Sequence, residues 1–282
     1  MSNVAIITDS TAYLPDEMVE KYGISVAPQV LIWGEETLRD GVDIQPAEFY
    51  NRLSTADVMP TTSQVAVKDF KELYEKLLGQ GKDILAILVS DKLSGTISSA
   101  TQALEFFPDA NIEIINSQGV AMMLGFVVLE VARAAEKGAS LAECKALAED
   151  LKQRTGVVFA VDTLEFLHRG GRIGGASRFL GTALQLKPIL EVRDGRVEAI
   201  ERVRTKTKAH NRLIEILAER TQGGKTIKLA TLHASAHEDA KALLEAAQAQ
   251  LGNVDETIFS EVSPVVGTHA GPGTVGLAYL IN

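Results

Sequence analysis

Cysteine is nearly absent from this chain, because Cys144 is the single one among 282 residues. One cysteine excludes an internal disulfide framework, and such scarcity is typical of proteins in a reducing compartment. Cys144 shares helical spacing with Leu141, Leu147 and Leu151. That spacing predicts buried packing rather than a reactive thiol. We therefore expect a cytoplasmic protein whose fold does not depend on disulfides.

A basic leader and long apolar runs are also missing. The first apolar run has no basic segment before it and is soon interrupted by Asp9, which argues against a secretory signal. The longest apolar stretch, residues 120–132, contains Gly125 and Glu130. It is shorter than the roughly 20 apolar residues that a membrane-spanning helix needs. We expect no stable membrane insertion.

The chain has fewer basic than acidic residues and few aromatic side chains. Lys and Arg total 28 against 37 for Asp and Glu, a formal net charge of −9, and aromatic residues make up 5% of the chain. Nucleic-acid binding depends on clustered basic side chains and, for single strands, on aromatic rings that stack on bases. This composition predicts no nucleic-acid partner.

Alternating apolar and helical segments fill the first half of the chain. Unbroken Val, Ile and Leu runs flanked by helices are typical of a parallel sheet covered on both faces. The predicted strands lie at residues 4–7, 25–32, 84–89 and 112–116, and the predicted helices at residues 15–22, 46–54, 67–78, 97–107, 119–136 and 140–154. This pattern predicts a Rossmann-like α/β first domain over residues 1–155.

The second half is patterned differently. Asp194-Gly195 stands between two apolar runs and is a strong β-hairpin signal. The predicted strands lie at residues 157–161, 188–192, 197–202, 227–232, 257–262 and 275–281, and the predicted helices at residues 164–167, 208–221 and 236–251. Hairpins mixed with helices predict an α+β second domain with a mixed sheet over residues 156–282. The fold class is therefore two-domain α/β.

Familiar enzyme signatures occur only in fragments. Residues 271–276 have the spacing G-x-G-x-x-G, but too few residues follow for the helix and acidic partner of a dinucleotide site, so we expect a Gly-rich turn. Residues 223–226 resemble the tail of a P-loop, yet Glu219 replaces its first glycine. His233 and His237 have no further Cys or His nearby to complete a zinc site. The sequence predicts no catalytic residue, no metal and no nucleotide site.

Two hydroxyl-rich clusters precede predicted helices. Thr61-Thr-Ser-Gln64 stands before the helix at residue 67, and Leu93-Ser-Gly-Thr96 follows the strand at residues 84–89. Such hydroxyls usually cap helices, but a free helix N-terminus also suits an anion. In a doubly wound sheet both loops can lie at the ligand-binding edge. Without a neighbouring base, the clusters favour binding a carboxylate over attacking a carbonyl.

An ordered set of short motifs makes this sequence resemble the DegV family of bacterial fatty-acid-binding proteins over nearly its whole length. The motifs are Thr8-Asp-Ser10, Thr62-Ser-Gln64, Leu93-Ser-Gly-Thr96, Leu167-His-Arg-Gly-Gly-Arg-Ile-Gly174, Lys187-Pro-Ile-Leu190, Arg204 with Lys206 and Lys208-Ala209, and His269-Ala-Gly-Pro-Gly273. Two positions depart from the family pattern. Val65 stands where members often have Pro, and Ile97, where an aromatic is common, is a candidate to alter the pocket shape.

The resemblance implies a lipid carrier and not an enzyme. A long-chain fatty acid, the expected ligand in the absence of any other cofactor, would lie in an internal tunnel with its carboxylate on Thr62 and Ser94. His269 and Arg204 would lie near the head group. In relatives this basic pair serves phosphorylation of the acid and docking of a separate ATP-dependent fatty-acid kinase. The chain would then be a non-catalytic component of a system that forms acyl-phosphate for phospholipid metabolism.

Some assignments remain open at the level of sequence. Asp9 and Ser10 either shape a turn or contact the ligand, and Arg172 either forms a structural salt bridge or meets a partner. The alternative function is the substrate subunit of a dihydroxyacetone-kinase type phosphotransferase, which holds its substrate on a histidine. A third is a serine acyl-hydrolase that uses Ser94 and His269. Co-purified fatty acid would favour the carrier over the phosphotransferase subunit, whereas slow turnover of an ester that vanishes in Ser94→Ala would favour the hydrolase.

Overall fold

The computed structural model describes residues 3–181 and 186–282, and within them the chain forms three β-sheets and ten α-helices. The strands are β1 Val4–Asp9, β2 Ser25–Ala27, β3 Val30–Trp33, β4 Glu36–Arg39, β5 Thr61–Ser63, β6 Asp83–Leu88, β7 Ile112–Asn116, β8 Thr155–Ala160, β9 Lys187–Arg193, β10 Arg196–Val203, β11 Ile227–His233, β12 Val254–Ile258 and β13 Val275–Ile281. The helices are α1 Asp16–Tyr22, α2 Pro46–Leu53, α3 Val67–Leu78, α4 Thr96–Ala103, α5 Met122–Glu136, α6 Leu141–Arg154, α7 Glu165–Arg169, α8 Lys206–Arg220, α9 His237–Leu251 and α10 Pro264–Ala270.

The first sheet is parallel, as the apolar runs predict. Its order is β2-β1-β6-β7, and all three pairings are parallel. β6 is buried from Ile84 to Leu88 because helices cover both faces of the sheet. The carboxyl ends of β1 and β6 meet where the Asp9 Oδ2 atom accepts a hydrogen bond from the Val89 N–H at 2.8 Å. This edge of the sheet is where an open α/β fold places ligands.

The second sheet is mixed, as predicted. Its order is β10-β9-β8-β13-β11-β12, in which β11 and β12 are parallel and the other neighbours antiparallel. The β9–β10 hairpin turns at Asp194 and Gly195, whose φ angles are 51° and 78°, which confirms the hairpin signal. The turn contacts the first sheet, because the Ser90 Oγ atom donates to the Gly195 carbonyl at 2.8 Å.

A third sheet, β4-β3-β5, was not predicted. The single strand predicted at residues 25–32 is wrong, because β2 ends at Ala27 and β3 begins at Val30 in a different sheet. Pro28 explains the break, since it offers no N–H to a strand ladder. The cluster at residues 61–64 lies ahead of α3, which begins at Val67 as predicted, but it also contains a strand that the sequence pattern does not indicate. Thr62 lies in β5, opposite Leu31 of β3.

The end of the chain also differs from the prediction. The strand expected at residues 257–262 is β12, which ends at Ile258. Residues 264–270, to which the sequence pattern assigned no element, form α10. Ser263 caps this helix by accepting a hydrogen bond from the Val266 N–H, and Pro264 occupies its first turn. The expected Gly-rich turn follows, with positive φ at Gly271 and Gly273.

Helix α5 lies in the centre of the molecule and contacts strands of both large sheets. It is buried on nearly every side, which explains why its sequence is apolar rather than amphipathic. α6 packs beside it, with Cys144 buried as its spacing predicts. Within the described ranges, no helix is both long and apolar enough to cross a membrane. The boundary between residues 155 and 156 stays a prediction.

Candidate functional site

A cavity of about 200 Å³ lies between the carboxyl edge of the parallel sheet and one face of the mixed sheet. Most of its wall is aliphatic or aromatic. Val89 comes from the parallel sheet edge, Val157 and Phe159 alternate along β8 and so share one face, and Leu232 comes from β11. Walls of this kind suit an apolar ligand with few polar groups.

Contacts link the polar side chains of the lining into one group, which we call the polar end: His269 contacts Thr62, and Arg172 bonds to the backbone beside Ser94 and beside His269. They come from distant parts of the sequence and include Thr62, Ser63, Gln64, Ser94, Arg172 and His269. The structure therefore brings together Thr62, Ser94 and His269, the three residues expected at the ligand head group. β5, the loop before α4, and α10 position them. The cavity therefore matches an amphipathic ligand, with an apolar wall for its tail and a polar end for its polar group.

His269 is bonded to Thr62. The Nε2 atom of His269 lies 2.7 Å from the Thr62 Oγ1 atom, and the buried Nδ1 atom has no hydrogen-bond partner among the described residues. Burial lowers the pKa of His269 to about 4, and the positive charge of Arg172 acts in the same direction. The imidazole is therefore neutral near pH 7 and carries a single N–H.

Gly170 is required for this position of the imidazole. A Cβ atom on residue 170 would overlap the His269 Nδ1 atom. The next residue, Gly171, has a φ of 70°, a left-handed conformation that favours glycine. The Leu167–Gly174 motif thus has a physical role at the site, since it allows a backbone segment to lie against the ring of His269.

Ser94 is held by neighbouring polar groups. Its Oγ atom lies 2.9 Å from the Thr96 Oγ1 atom and 3.4 Å from the Gln29 Oε1 atom. Ser94 therefore contacts Thr96 and Gln29, whereas His269 contacts Thr62. This arrangement does not place Ser94 and His269 as the nucleophile–base pair that an acyl-hydrolase needs.

The two hydroxyl-rich motifs pack directly against each other. A Cβ atom at Gly95 would overlap the side chain of Gln64, and the Gln64 Nε2 atom donates to the Ser99 Oγ atom at 3.0 Å. Ile97, a position where the family pattern differs, packs in the core between α3 and β6 and does not line the cavity. Val65 is fully buried in the same core.

Arg172 adds positive charge at the polar end. Its Nε atom donates to the Leu93 carbonyl at 3.0 Å and its Nη1 atom to the Gly170 carbonyl at 2.7 Å. Both acceptors are neutral backbone groups, so these bonds fix the guanidinium without neutralising its charge. They tie the segment before Ser94 to the segment beside His269.

Arg204 lies elsewhere. It is exposed in the connection between β10 and α8, where Thr205 caps α8 by accepting a hydrogen bond from the Lys208 N–H, and it does not line the cavity. The structure therefore places His269 at the polar end and Arg204 on the surface. The expected role of Arg204 stays a prediction.

A surface groove reaches the polar end from outside. It has a volume of about 250 Å³ and shares Thr62, Arg172 and His269 with the cavity. Its outer wall includes Phe166 and the exposed Arg169. A group bound between Thr62 and Ser94 would therefore lie close to a surface from which a second protein could reach it.

Asp9 and Ser10 shape the turn after β1. Asp9 caps the 3₁₀ turn Ser10–Ala12 by accepting a hydrogen bond from the Thr11 N–H at 3.0 Å, and the Ser10 hydroxyl donates to Asp40 at 2.6 Å.

Gln29, which lines the cavity beside Ser94, was not among the residues predicted from the sequence, because it fell inside the single strand predicted at residues 25–32. Pro28 was the available signal that this strand breaks next to it.

The two histidines with metal-like spacing do not form a ligand set. The rings of His233 and His237 pack with centroids 5.8 Å apart. Over residues 3–181 and 186–282, no three His, Cys, Asp or Glu side chains are grouped as metal ligands.

Comparison with known proteins gives matches over the whole chain. The model of the DegV family matches residues 3–282. A DegV domain-containing protein of Clostridium perfringens is 37% identical over 281 residues, which cover 98% of each chain. A DegV family protein of Thermus thermophilus, described as fatty-acid binding, has a structure similar to this one, with a TM-score of 0.94, 35% identity and full coverage of both chains. DegV of Bacillus subtilis, described as a fatty acid binding protein, has a TM-score of 0.90 and 33% identity with the same coverage.

Proposed function

This chain belongs to the DegV family, and we propose on that premise that it binds one long-chain fatty acid in its internal cavity. The acyl chain lies along the apolar wall, and the carboxylate lies at the polar end on Thr62 and Ser94, beside His269. The observation that carries the proposal is this polarity, because one end of an otherwise apolar cavity collects the hydroxyls, a neutral imidazole and a guanidinium.

The apolar wall provides most of the affinity. Burying about fourteen methylenes at about 0.8 kcal/mol each gives on the order of 11 kcal/mol before ordering costs. The two structural neighbours from Thermus thermophilus and Bacillus subtilis, both described as fatty-acid binding, support this class of ligand.

The polar end provides orientation. The hydroxyls of Thr62 and Ser94 can each donate to a carboxylate, and hydrogen bonds to charged groups contribute roughly 1.5–3 kcal/mol each. Arg172 favours the anion through its unneutralised charge. The neutral His269 carries its N–H on Nε2 in this arrangement and donates to the Thr62 oxygen, which leaves the Thr62 proton for the carboxylate.

We further propose that the chain is a carrier that works in the cytoplasm and presents the acid to a separate ATP-dependent fatty-acid kinase. The groove that reaches Thr62 and His269 from the surface supports this step. His269 would lie beside the acyl carboxylate during transfer, and the exposed Arg204 would contact the kinase. The carrier supplies positioning and charge stabilisation, which need no catalytic group of its own.

Organic extraction and mass spectrometry of the purified protein test lipid binding. We expect one long-chain fatty acid per chain, lost on organic extraction and regained on incubation with the free acid. A protein that neither contains nor takes up fatty acid would contradict the proposal. A covalent adduct on a histidine after incubation with dihydroxyacetone would instead favour the phosphotransferase subunit.

Presentation to a kinase is tested separately with Arg204→Ala. The variant should take up fatty acid like the unmodified protein, because Arg204 lies outside the cavity. Phosphorylation of the bound fatty acid by a fatty-acid kinase should be suppressed in this variant. Normal phosphorylation of the variant would remove Arg204 from the docking surface and leave the carrier proposal intact.

A further inference from the structure

The side chain of Gln29 lies at the polar end of the cavity, next to Ser94. It is 3% exposed and occupies the break between β2 and β3. Its backbone N–H donates to the Ser10 Oγ atom at 3.0 Å. The backbone of Gln29 is therefore fixed by the turn after β1.

Asp9 determines which way the amide of Gln29 faces. The Asp9 Oδ1 atom accepts hydrogen bonds from the Thr11 N–H at 3.0 Å, the Thr11 hydroxyl at 2.6 Å and the Gln29 Nε2 atom at 3.2 Å. Its Oδ2 atom accepts the Val89 N–H at 2.8 Å. Burial raises the pKa of Asp9, and these donors act against that rise. The backbone N–H groups of Thr11 and Val89 can only donate, so both oxygens of Asp9 act as acceptors, and the Gln29 nitrogen faces Asp9 while its oxygen faces Ser94.

The orientation of this amide sets the direction of the neighbouring hydroxyl protons. The Gln29 Oε1 atom is an acceptor 3.4 Å from the Ser94 Oγ atom, which also lies 2.9 Å from the Thr96 Oγ1 atom. Each hydroxyl has one proton. Both protons are used when Thr96 donates to Ser94 and Ser94 donates to Gln29. In this arrangement the Ser94 proton points to a cavity-lining atom rather than into α4.

We infer that Gln29 is a positioning residue for the head group of the ligand, held by Asp9 so that the Ser94 hydroxyl acts as a hydrogen-bond donor toward the cavity. The inference rests on the proposed binding of a fatty acid at Ser94. The bond between Ser94 and Gln29 is longer than a normal O–H···O bond, so Ser94 gives it up at little cost. A carboxylate then takes over the proton, while Thr96 continues to donate to Ser94.

Gln29→Met tests this, because methionine has nearly the same length and no amide. The Ser94 proton can then turn to Thr96, and we expect affinity for palmitate, measured by calorimetry on delipidated protein, to fall about three- to tenfold. In a Ser94→Ala background the same substitution should change affinity less than about twofold, because the group through which Gln29 acts is gone. A merely structural role would give the same loss in both backgrounds.

Tyr74→Phe is the matched control. Like Gln29→Met, this substitution removes a buried hydrogen bond, here from the Tyr74 hydroxyl to the Ala100 carbonyl. Unlike Gln29, Tyr74 does not line the cavity. It should lower the melting temperature without changing palmitate affinity. Melting curves of the ligand-free variants show whether each one folds.

The outcomes separate the inference from the proposed function. If the unmodified protein binds no fatty acid, both are overturned. If it binds palmitate and Gln29→Met binds equally well, the positioning role is overturned and the binding function stands. The positioning role is also overturned if Gln29→Met lowers palmitate affinity by the same factor in the unmodified protein and in the Ser94→Ala background.

Discussion

The Nε2 atom of His269 lies 2.7 Å from the Oγ1 atom of Thr62. This contact joins α10, near the end of the chain, to β5, an edge strand of the small sheet in the first half. Both residues line the cavity and the groove that leads to it. The contact therefore joins both halves of the molecule at the polar end of the cavity.

Thr62→Val should weaken fatty-acid binding more than folding. The substitution keeps the shape of the side chain but removes one donor to the carboxylate, and we expect an affinity loss of about ten- to one-hundred-fold. Calorimetry with palmitate on delipidated protein measures it. Thr37→Val is the matched control, because Thr37 is an exposed threonine of β4 in the same small sheet and does not line the cavity. Equal affinity of Thr62→Val and the unmodified protein would remove Thr62 from the head-group site.

The two large sheets could be predicted from the sequence, but the contact between Thr62 and His269 could not. Apolar runs such as Asp83–Leu88 predict a buried parallel strand because burial on both faces dominates their composition. β5 is three residues long and depends on pairing with the distant β3, so no local pattern marks it. Helix α10 has seven residues, too few for a periodic apolar signal.

The proposed head-group residues could be chosen from the sequence only through the ordered motifs. Thr62, Ser94 and His269 lie in three of these motifs and line the same cavity in the structure. Gln29 lies outside all of them. Its position depends on Pro28 ending β2 and on the buried carboxylate of Asp9, a non-local contact that sequence spacing does not reveal.

Gly170→Ala should displace the imidazole of His269. The added Cβ atom would overlap the Nδ1 atom, and overpacking of this kind costs about 1–3 kcal/mol. We expect a lower free energy of unfolding in denaturant and weaker fatty-acid binding. In a His269→Ala background the space is open, so Gly170→Ala should then have a much smaller effect on stability. An undiminished cost in that background would show that Gly170 acts on something other than the imidazole.

The contribution of His269 to stability should rise with pH as the histidine of the unfolded state loses its proton. In the folded protein the pKa of His269 is lowered to about 4 by burial, against 6.5 for an unperturbed histidine. Between about pH 4 and 6.5 the unfolded state binds more protons at this histidine than the folded state, so the contribution of His269 to the free energy of unfolding increases with pH and levels off above 6.5. Burial raises the pKa of Asp40 to about 7, and this carboxyl contributes in the opposite direction over the same range. The slope from His269 alone is at most about 1.4 kcal/mol per pH unit.

His269→Gln isolates this contribution, since glutamine keeps a polar side chain but does not titrate. In urea unfolding of the ligand-free protein at several pH values, the free energy of unfolding of the unmodified protein should rise relative to that of the variant between pH 4 and 6.5. Parallel curves for the two proteins would mean that the imidazole titrates in the folded state as it does in the unfolded state.

Comparison of a fatty acid with the matching alcohol tests the polarity of the cavity. A ligand that binds only the folded state stabilises it by mass action, so palmitic acid should raise the melting temperature with increasing occupancy. Hexadecanol has the same chain and the same contacts with the apolar wall. It lacks the negative charge that would interact favourably with the hydroxyls of Thr62 and Ser94 and with the guanidinium of Arg172. It should raise the melting temperature less at equal concentration. Because the alcohol can still donate its proton to the Gln29 oxygen, some stabilisation should remain. Equal shifts for acid and alcohol would show that the anion site is wrong, and the absence of a shift with either would contradict the carrier function itself.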